Sequence, residues 1–234
     1  MDNNGDNMTK ENIEIENRNC IVYRSNEPKT LLIQPVDDRD IEGLDSEVLY
    51  IEENAGNGFI LAAFKINDWN RELSPWQAPP AFGQDGFGGE AYKTLEYTRD
   101  ILIPHIIEKY GLLDDIPIII GGYSLASLYS LWAVYNSSKF NACAAASPSV
   151  WFPDWIEYAQ NNTPKAAHIY LSLGNKEEKT KNKVMATVGE CIRKQYDILK
   201  NTGVNTILEW NEGNHFKDAD IRTAKGFVWC IKHL

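Results

Sequence analysis

The sequence has no long apolar run, no surplus of basic charge and no clustered cysteine or histidine. Each lack removes a class of function. Its uninterrupted apolar stretches are short, well under the roughly 20 residues that a membrane-spanning helix requires. Against 33 acidic side chains stand 23 basic ones, a net charge of −10, and that sign opposes electrostatic capture of nucleic acid or of an anionic bilayer. Neither nucleic acid nor membrane is therefore expected as a partner. Cys20, Cys143, Cys191 and Cys230 contain no C-x-x-C pair, and no His/Cys cluster has zinc spacing. There is also no GxGxxG turn and no P-loop to cradle a phosphate. No metal and no cofactor is expected. A chain of 234 residues does not depend on disulfide staples, and three of the cysteines sit in apolar surroundings that favour reduced thiols. The polar N-terminal stretch shows no basic segment followed by an apolar one, so it does not read as a secretory signal. A cytoplasmic location is the expectation.

What is present is ordinary globular material, 43% hydrophobic and 24% charged. Residues 1–11, rich in Asn and Asp, read as a solvated tail, and residues 12–234 as a single domain without a dividing linker. Short β-branched and aromatic runs at 20–23, 30–36, 47–51 and 59–66 read as strands. The stretch 67–89 has no period and reads as a long loop. A helix is expected over 90–110, kinked at Pro104 and stopped by Gly111. Strands then alternate with helices: 116–120, a helix from Leu125 to about Tyr135, 142–147, 168–173, a helix from Val184 to near Gly203, 206–210, and a closing helix through Ile231. This alternation predicts an α/β fold, a mostly parallel central sheet with helices on both faces.

Sites in such sheets lie beyond the carboxyl ends of the strands, which directs attention to Ser124, Trp151, Glu177 and His215. In Gly122-Tyr123-Ser124-Leu125-Ala126 a serine follows an apolar strand and opens an apolar helix. A sharp turn there lifts the hydroxyl clear of the sheet, and the next backbone N–H, from Leu125, serves a developing oxyanion. The bland alternative is an N-cap serine. A serine nucleophile needs a base. His105 lies within a helix, His168 opens a strand at the wrong end of the sheet, and His233 is penultimate. His215, between the last strand and the last helix, remains. A carboxylate must orient that base. Glu177, just past the strand at 168–173, is preferred over Glu178 and Asp154, which stay open as alternatives.

With these segments the chain resembles α/β-hydrolases of the esterase D-like and enterochelin esterase-like group. The likeness runs from about residue 29 to the C-terminus and rests on GGYSLAS around Ser124, SPSVW at 147–151, LGNKE leading to Glu177 and GNHF with His215. ELSPW at 72–76 and the segment LIPHIIEKYG add to it. The resemblance implies an α/β-hydrolase fold and cleavage of a small-molecule carboxylic ester through an acyl-enzyme, with Ser124 as nucleophile, His215 as base and Glu177 as acid. Two positions depart from the group. Ala126 stands where glycine is usual, and the Gly-rich segment that usually gives the second oxyanion N–H is missing after TLLIQPV. Pro35 has no N–H, so Val36 or Asp37 is expected to supply it. Trp69, Trp76, Tyr123 and Trp151 are expected to line the substrate pocket, with Phe82, Phe87, Phe152 and Trp155 nearby, a surface suited to rings or sugar faces. The same rings could equally pack a loop-rich cap. A thioesterase or acyltransferase of the same fold is the alternative within enzymes. A non-catalytic binding protein on a degenerate scaffold is the alternative outside them.

Overall fold

In a computed structural model of the protein, residues 8–81 and 83–234 are described. The first strand, β1 (Thr9–Ile15), pairs antiparallel with β2 (Arg18–Arg24) through a turn at Glu16 and Asn17, both with positive φ. Two left-handed residues are what a tight hairpin loop needs. Residues 9–11 therefore belong to a strand and not to the expected tail. The segment reads as a tail because β1 is an edge strand whose polar side chains face solvent. Residues 1–7 lie outside the described residues.

A buried strand, β3 (Thr30–Val36), leads into helix α1 (Asp38–Ala55). The strand expected at 47–51 lies within this helix. Leu44, Val48 and Ile51 recur at helical spacing and are buried, and Asp37 caps the start in a reciprocal box with Asp40. Next come β4 (Phe59–Lys65), a short helix α2 (Trp69–Leu73) and a two-residue ribbon, β5 (Gln77–Ala78) with β6 (Phe87–Gly88). These order much of the expected loop, of which Phe82 is outside the described residues. The helix expected over 90–110 is α3 (Ala91–Tyr97), a π-helical turn at Thr98–Leu102, and α4 (Ile103–Tyr110). The π turn lies directly ahead of Pro104, which stands near the start of α4.

The remainder alternates as expected: β7 (Ile118–Tyr123), α5 (Ser124–Asn136), β8 (Ala142–Ala146), α6 (Trp155–Asn161), β9 (His168–Gly174), α7 (Val188–Asn201), β10 (Asn205–Asn211) and α8 (Ala219–Ile231). Eight strands form one sheet in the order β1-β2-β4-β3-β7-β8-β9-β10. It is parallel from β4 to β10, and β2 pairs antiparallel with both β1 and β4.

Consecutive isoleucines in β7 belong to opposite faces. Ile118 and Ile120 pack with α3, α4 and α5, and Ile119 packs with α1 and α8. Covering on both sides is why the strand is apolar throughout. Among the described residues no helix is long and apolar enough to cross a membrane. The chain reverses direction across the sheet between β3 and β7, so a crevice opens above their carboxyl ends.

Candidate active site

Ser124 begins α5 directly at the end of β7, with φ of 58°. That left-handed conformation is uncommon for a residue with a side chain and is held only where the surroundings enforce it. Strand and helix nearly touch here. A Cβ placed on Gly122 would lie 3.0 Å from the Cβ of Ala126, so one side chain fits between them and it belongs to Ala126.

His215 sits in the loop between β10 and α8. Its Nε2 lies 3.0 Å from Ser124 Oγ, and its Nδ1 lies 2.6 Å from Glu177 Oε2. Glu177, in the short 3₁₀ turn after β9, is buried. Its other oxygen, Oε1, accepts from the Gly174 N–H at 2.7 Å, Ser147 Oγ at 2.8 Å and Arg222 Nη1 at 3.0 Å. Burial pushes this carboxyl up. The hydrogen bonds from His215, Gly174 and Ser147 outweigh burial and hold it below the usual glutamate range. Serine, imidazole and carboxylate are thus in line, each within hydrogen-bond reach of the next. The two other acids lie elsewhere. Glu178 is paired at the surface with Arg193, and Asp154 borders a shallow groove beside Trp76.

Two cavities meet at the serine. One, of about 290 Å³, runs past Glu177, Val188 and Met185. The other, of about 580 Å³, runs past Trp69, Phe87, Leu125 and Asp37. Ser124, Trp151, Met185, His215 and Phe216 border both. Phe216 is 80% exposed and sets its ring edge-on to the imidazole at 5.6 Å.

The expected pocket residues divide. Trp69 and Trp151 line the cleft. Trp76 does not: its indole N–H donates to the Pro153 carbonyl at 3.0 Å and its ring packs on Phe152 and Tyr158. Trp155 is core, with its N–H on Gln195. Tyr123 borders the larger cavity, but its hydroxyl is turned to the loops, donating to the His215 carbonyl at 2.9 Å. Burial first, and then the charge of Glu177, push that phenol up to about 12, so it remains a donor across the working range of most enzymes.

Of the two expected oxyanion donors, Leu125 borders the larger cavity in the first turn of α5, where N–H groups have no intrahelical acceptor. Val36 is a correction. Its carbonyl accepts from the Ile66 N–H at 3.0 Å. Since N–H and C=O of one strand residue point the same way, its N–H also faces β4 and not the cleft. Asp37 does border the cleft, but its N–H donates to Asp40 Oδ2 at 3.1 Å.

Sequence reasoning missed Ser147, Ser149 and Arg222. Ser149 Oγ lies 3.4 Å from Ser124 Oγ, and its N–H donates to the Ser124 carbonyl at 3.1 Å. SPSV after β8 was a visible signal for the two serines. Arg222 sits in the first turn of an amphipathic helix and carried none. Among the described residues no group of three or more His, Cys, Asp or Glu could hold a metal ion.

No family model matches the sequence, and no curated protein does. Solved structures do resemble it. An IroE-like serine hydrolase from Shewanella oneidensis superposes with a TM-score of 0.77 at 15% identity, covering 97% of this chain and 80% of that one. The siderophore hydrolase EstA from Aspergillus nidulans gives 0.71 at 17%, covering 97% and 95%. The enterobactin esterase FES from Shigella flexneri gives 0.68 at 14%, covering 97% of this chain and 59% of its own. At these identities the likeness is one of fold.

Proposed function

From an α/β-hydrolase fold with hydroxyl, imidazole and carboxylate in line, we propose that the protein is a serine esterase that cleaves a small-molecule carboxylic ester. The observation that carries this reading is the pair of contacts on His215, 3.0 Å to Ser124 Oγ and 2.6 Å to Glu177 Oε2. Ser124 Oγ attacks the ester carbonyl as His215 Nε2 takes its proton. Glu177 fixes the ring with its other nitrogen protonated and stabilises the imidazolium. The Leu125 N–H meets the oxyanion. The imidazolium then protonates the leaving alcohol, and a water activated in the same way releases the acid. Trp69, Phe87, Trp151 and Phe216 give the cleft ring-shaped surfaces, which suit a ring-bearing acyl or alcohol portion. Structural neighbours described as esterases and siderophore hydrolases fit this substrate class. The four free thiols suit a reducing compartment such as the cytoplasm.

One observation favours a second reading, a binding protein on a hydrolase scaffold. The N–H groups of Val36 and Asp37 are both turned to other acceptors, which leaves the oxyanion poorly served. A fluorophosphonate probe and an aryl-ester assay decide between them. The esterase labels at one serine, and Ser124→Ala abolishes labelling and lowers turnover by at least about a thousandfold. A wild type that neither labels nor turns over any aryl ester, acyl-thiol or acetylated sugar is a binding protein.

A further inference from the structure

We infer that Arg222 is a positioning residue whose buried guanidinium holds Glu177 and the neighbouring loops in register. The inference rests on the esterase reading above.

The Arg222 side chain is 2% exposed and that of Glu177 3%. A charge so buried persists only when it is paired and hydrogen-bonded. The guanidinium is paired with Glu177 and finds acceptors on three separate stretches of chain. Nη1 donates to Glu177 Oε1 and to the Tyr123 hydroxyl, each at 3.0 Å, and Nη2 donates to the Glu212 carbonyl at 3.0 Å. Glu177 follows β9, Glu212 lies in the loop that carries His215, and Tyr123 immediately precedes Ser124. Tyr123 in turn donates to the His215 carbonyl. A single planar cation thereby ties together the segments that bear all three reacting groups, a task suited to the rigid fork of arginine.

With Arg222, Ser147 and Gly174 all on Oε1, Oε2 is the oxygen left for the imidazole, so the carboxylate presents one orientation. Arg222 borders neither cavity, so it acts through Glu177 and not on substrate.

The test pairs steady-state kinetics on an aryl ester with NMR of the His215 Nδ1–H proton in the hydrogen bond to Glu177, a readout that needs no turnover. In Arg222→Gln the value of kcat should fall about ten- to a hundredfold through lost alignment, with KM within about twofold of wild type, as expected of a residue outside the cleft, and the Nδ1–H resonance should broaden or move. Arg222→Lys keeps the charge but not the fork, so kcat should still fall. The inference is overturned if folded Arg222→Gln keeps the wild-type kcat and the wild-type resonance, or if KM rises while kcat is unchanged. Should Arg222→Gln fail to fold, Arg222→Lys with wild-type kcat overturns it as well. A wild type without esterase activity would instead defeat the function proposed above, while the Nδ1–H resonance would still report on Arg222.

Discussion

Glu177 shows how much of the site depends on one side chain. A carboxylate at this depth survives because four donors surround it, and the shortest contact is to the imidazole. In Glu177→Gln the size is kept, but the ionised acceptor that selects the Nδ1-protonated ring is lost. Turnover should fall about 10²- to 10⁴-fold at neutral pH with little change in KM, measured on an aryl ester. A variant within tenfold of wild type would remove Glu177 from this role. The three residues that meet at His215 stood out in the sequence because each lies just beyond a strand, in segments where only one or two residues have the chemistry of the proposed triad. Arg222 was not, since a basic residue in an amphipathic helix reads as solvated until a buried carboxylate is found opposite it. Val36 failed for a local reason. A sequence shows that Pro35 lacks an N–H, but not toward which neighbouring strand the next N–H points.

At the scale of elements, the contact that places the serine is the packing of β7 against β8 and α8. Gly121 lies where a Cβ would stand 2.7 Å from Phe227 Cζ and 2.8 Å from Ala144 Cβ. No rotamer of an alanine relieves such an overlap, so sheet and helix must separate. Gly121→Ala should destabilise the protein by about 1–3 kcal/mol, seen as a lower midpoint in urea, and should slow turnover by displacing Ser124. Unchanged stability would mean that α8 yields freely. The strands on either side of this contact were legible as continuous apolar runs. Helix α1 was not. Val48, Leu49, Tyr50 and Ile51 favour strand locally, and the tertiary face formed by Leu44, Val48 and Ile51 overrides them. The capping pair Asp37 and Asp40 was the available signal, written with aspartate in place of the more familiar glutamate. Strand β1 escaped notice because an edge strand needs no apolar face to the solvent.

Across the whole molecule, acidic groups dominate, and some are buried where α1 meets the sheet and α8. Glu47 is 2% exposed, and its one hydrogen bond among the described residues is from Gln34 Nε2 at 3.2 Å. Burial first, with Asp40 and Asp220 adding like charge, holds its carboxyl well above the usual range. Asp40 is pushed up to about 7, by burial and then by the charge of Asp37. In both cases the folded protein holds a proton that the unfolded chain releases near pH 4. Their contribution to stability is therefore complete below that pH and is lost as pH rises through the folded values. The protein should lose stability from about pH 5 to 8, by up to about 1.4 kcal/mol per pH unit for each such group. Glu47→Gln, which keeps the shape and needs no proton, should flatten that slope. Urea unfolding of both proteins at pH 5 and pH 8 measures it, and parallel curves would show that Glu47 holds no more proton in the folded protein than in the unfolded chain.

The ribbon β5–β6 and helix α2 hang from the end of β4, whereas Ser124, Glu177 and His215 follow β7, β9 and β10. Trp69 and Phe87, which wall the larger cavity, both belong to that separate excursion. In the proposed esterase, what is admitted and what is done to it are thus written in different stretches of the polypeptide. Exchanging residues 67–90 for a segment of another length would redraw the mouth of the cleft and leave Ser124, His215 and Glu177 beneath it in place, a modular arrangement open to evolution and to engineering alike.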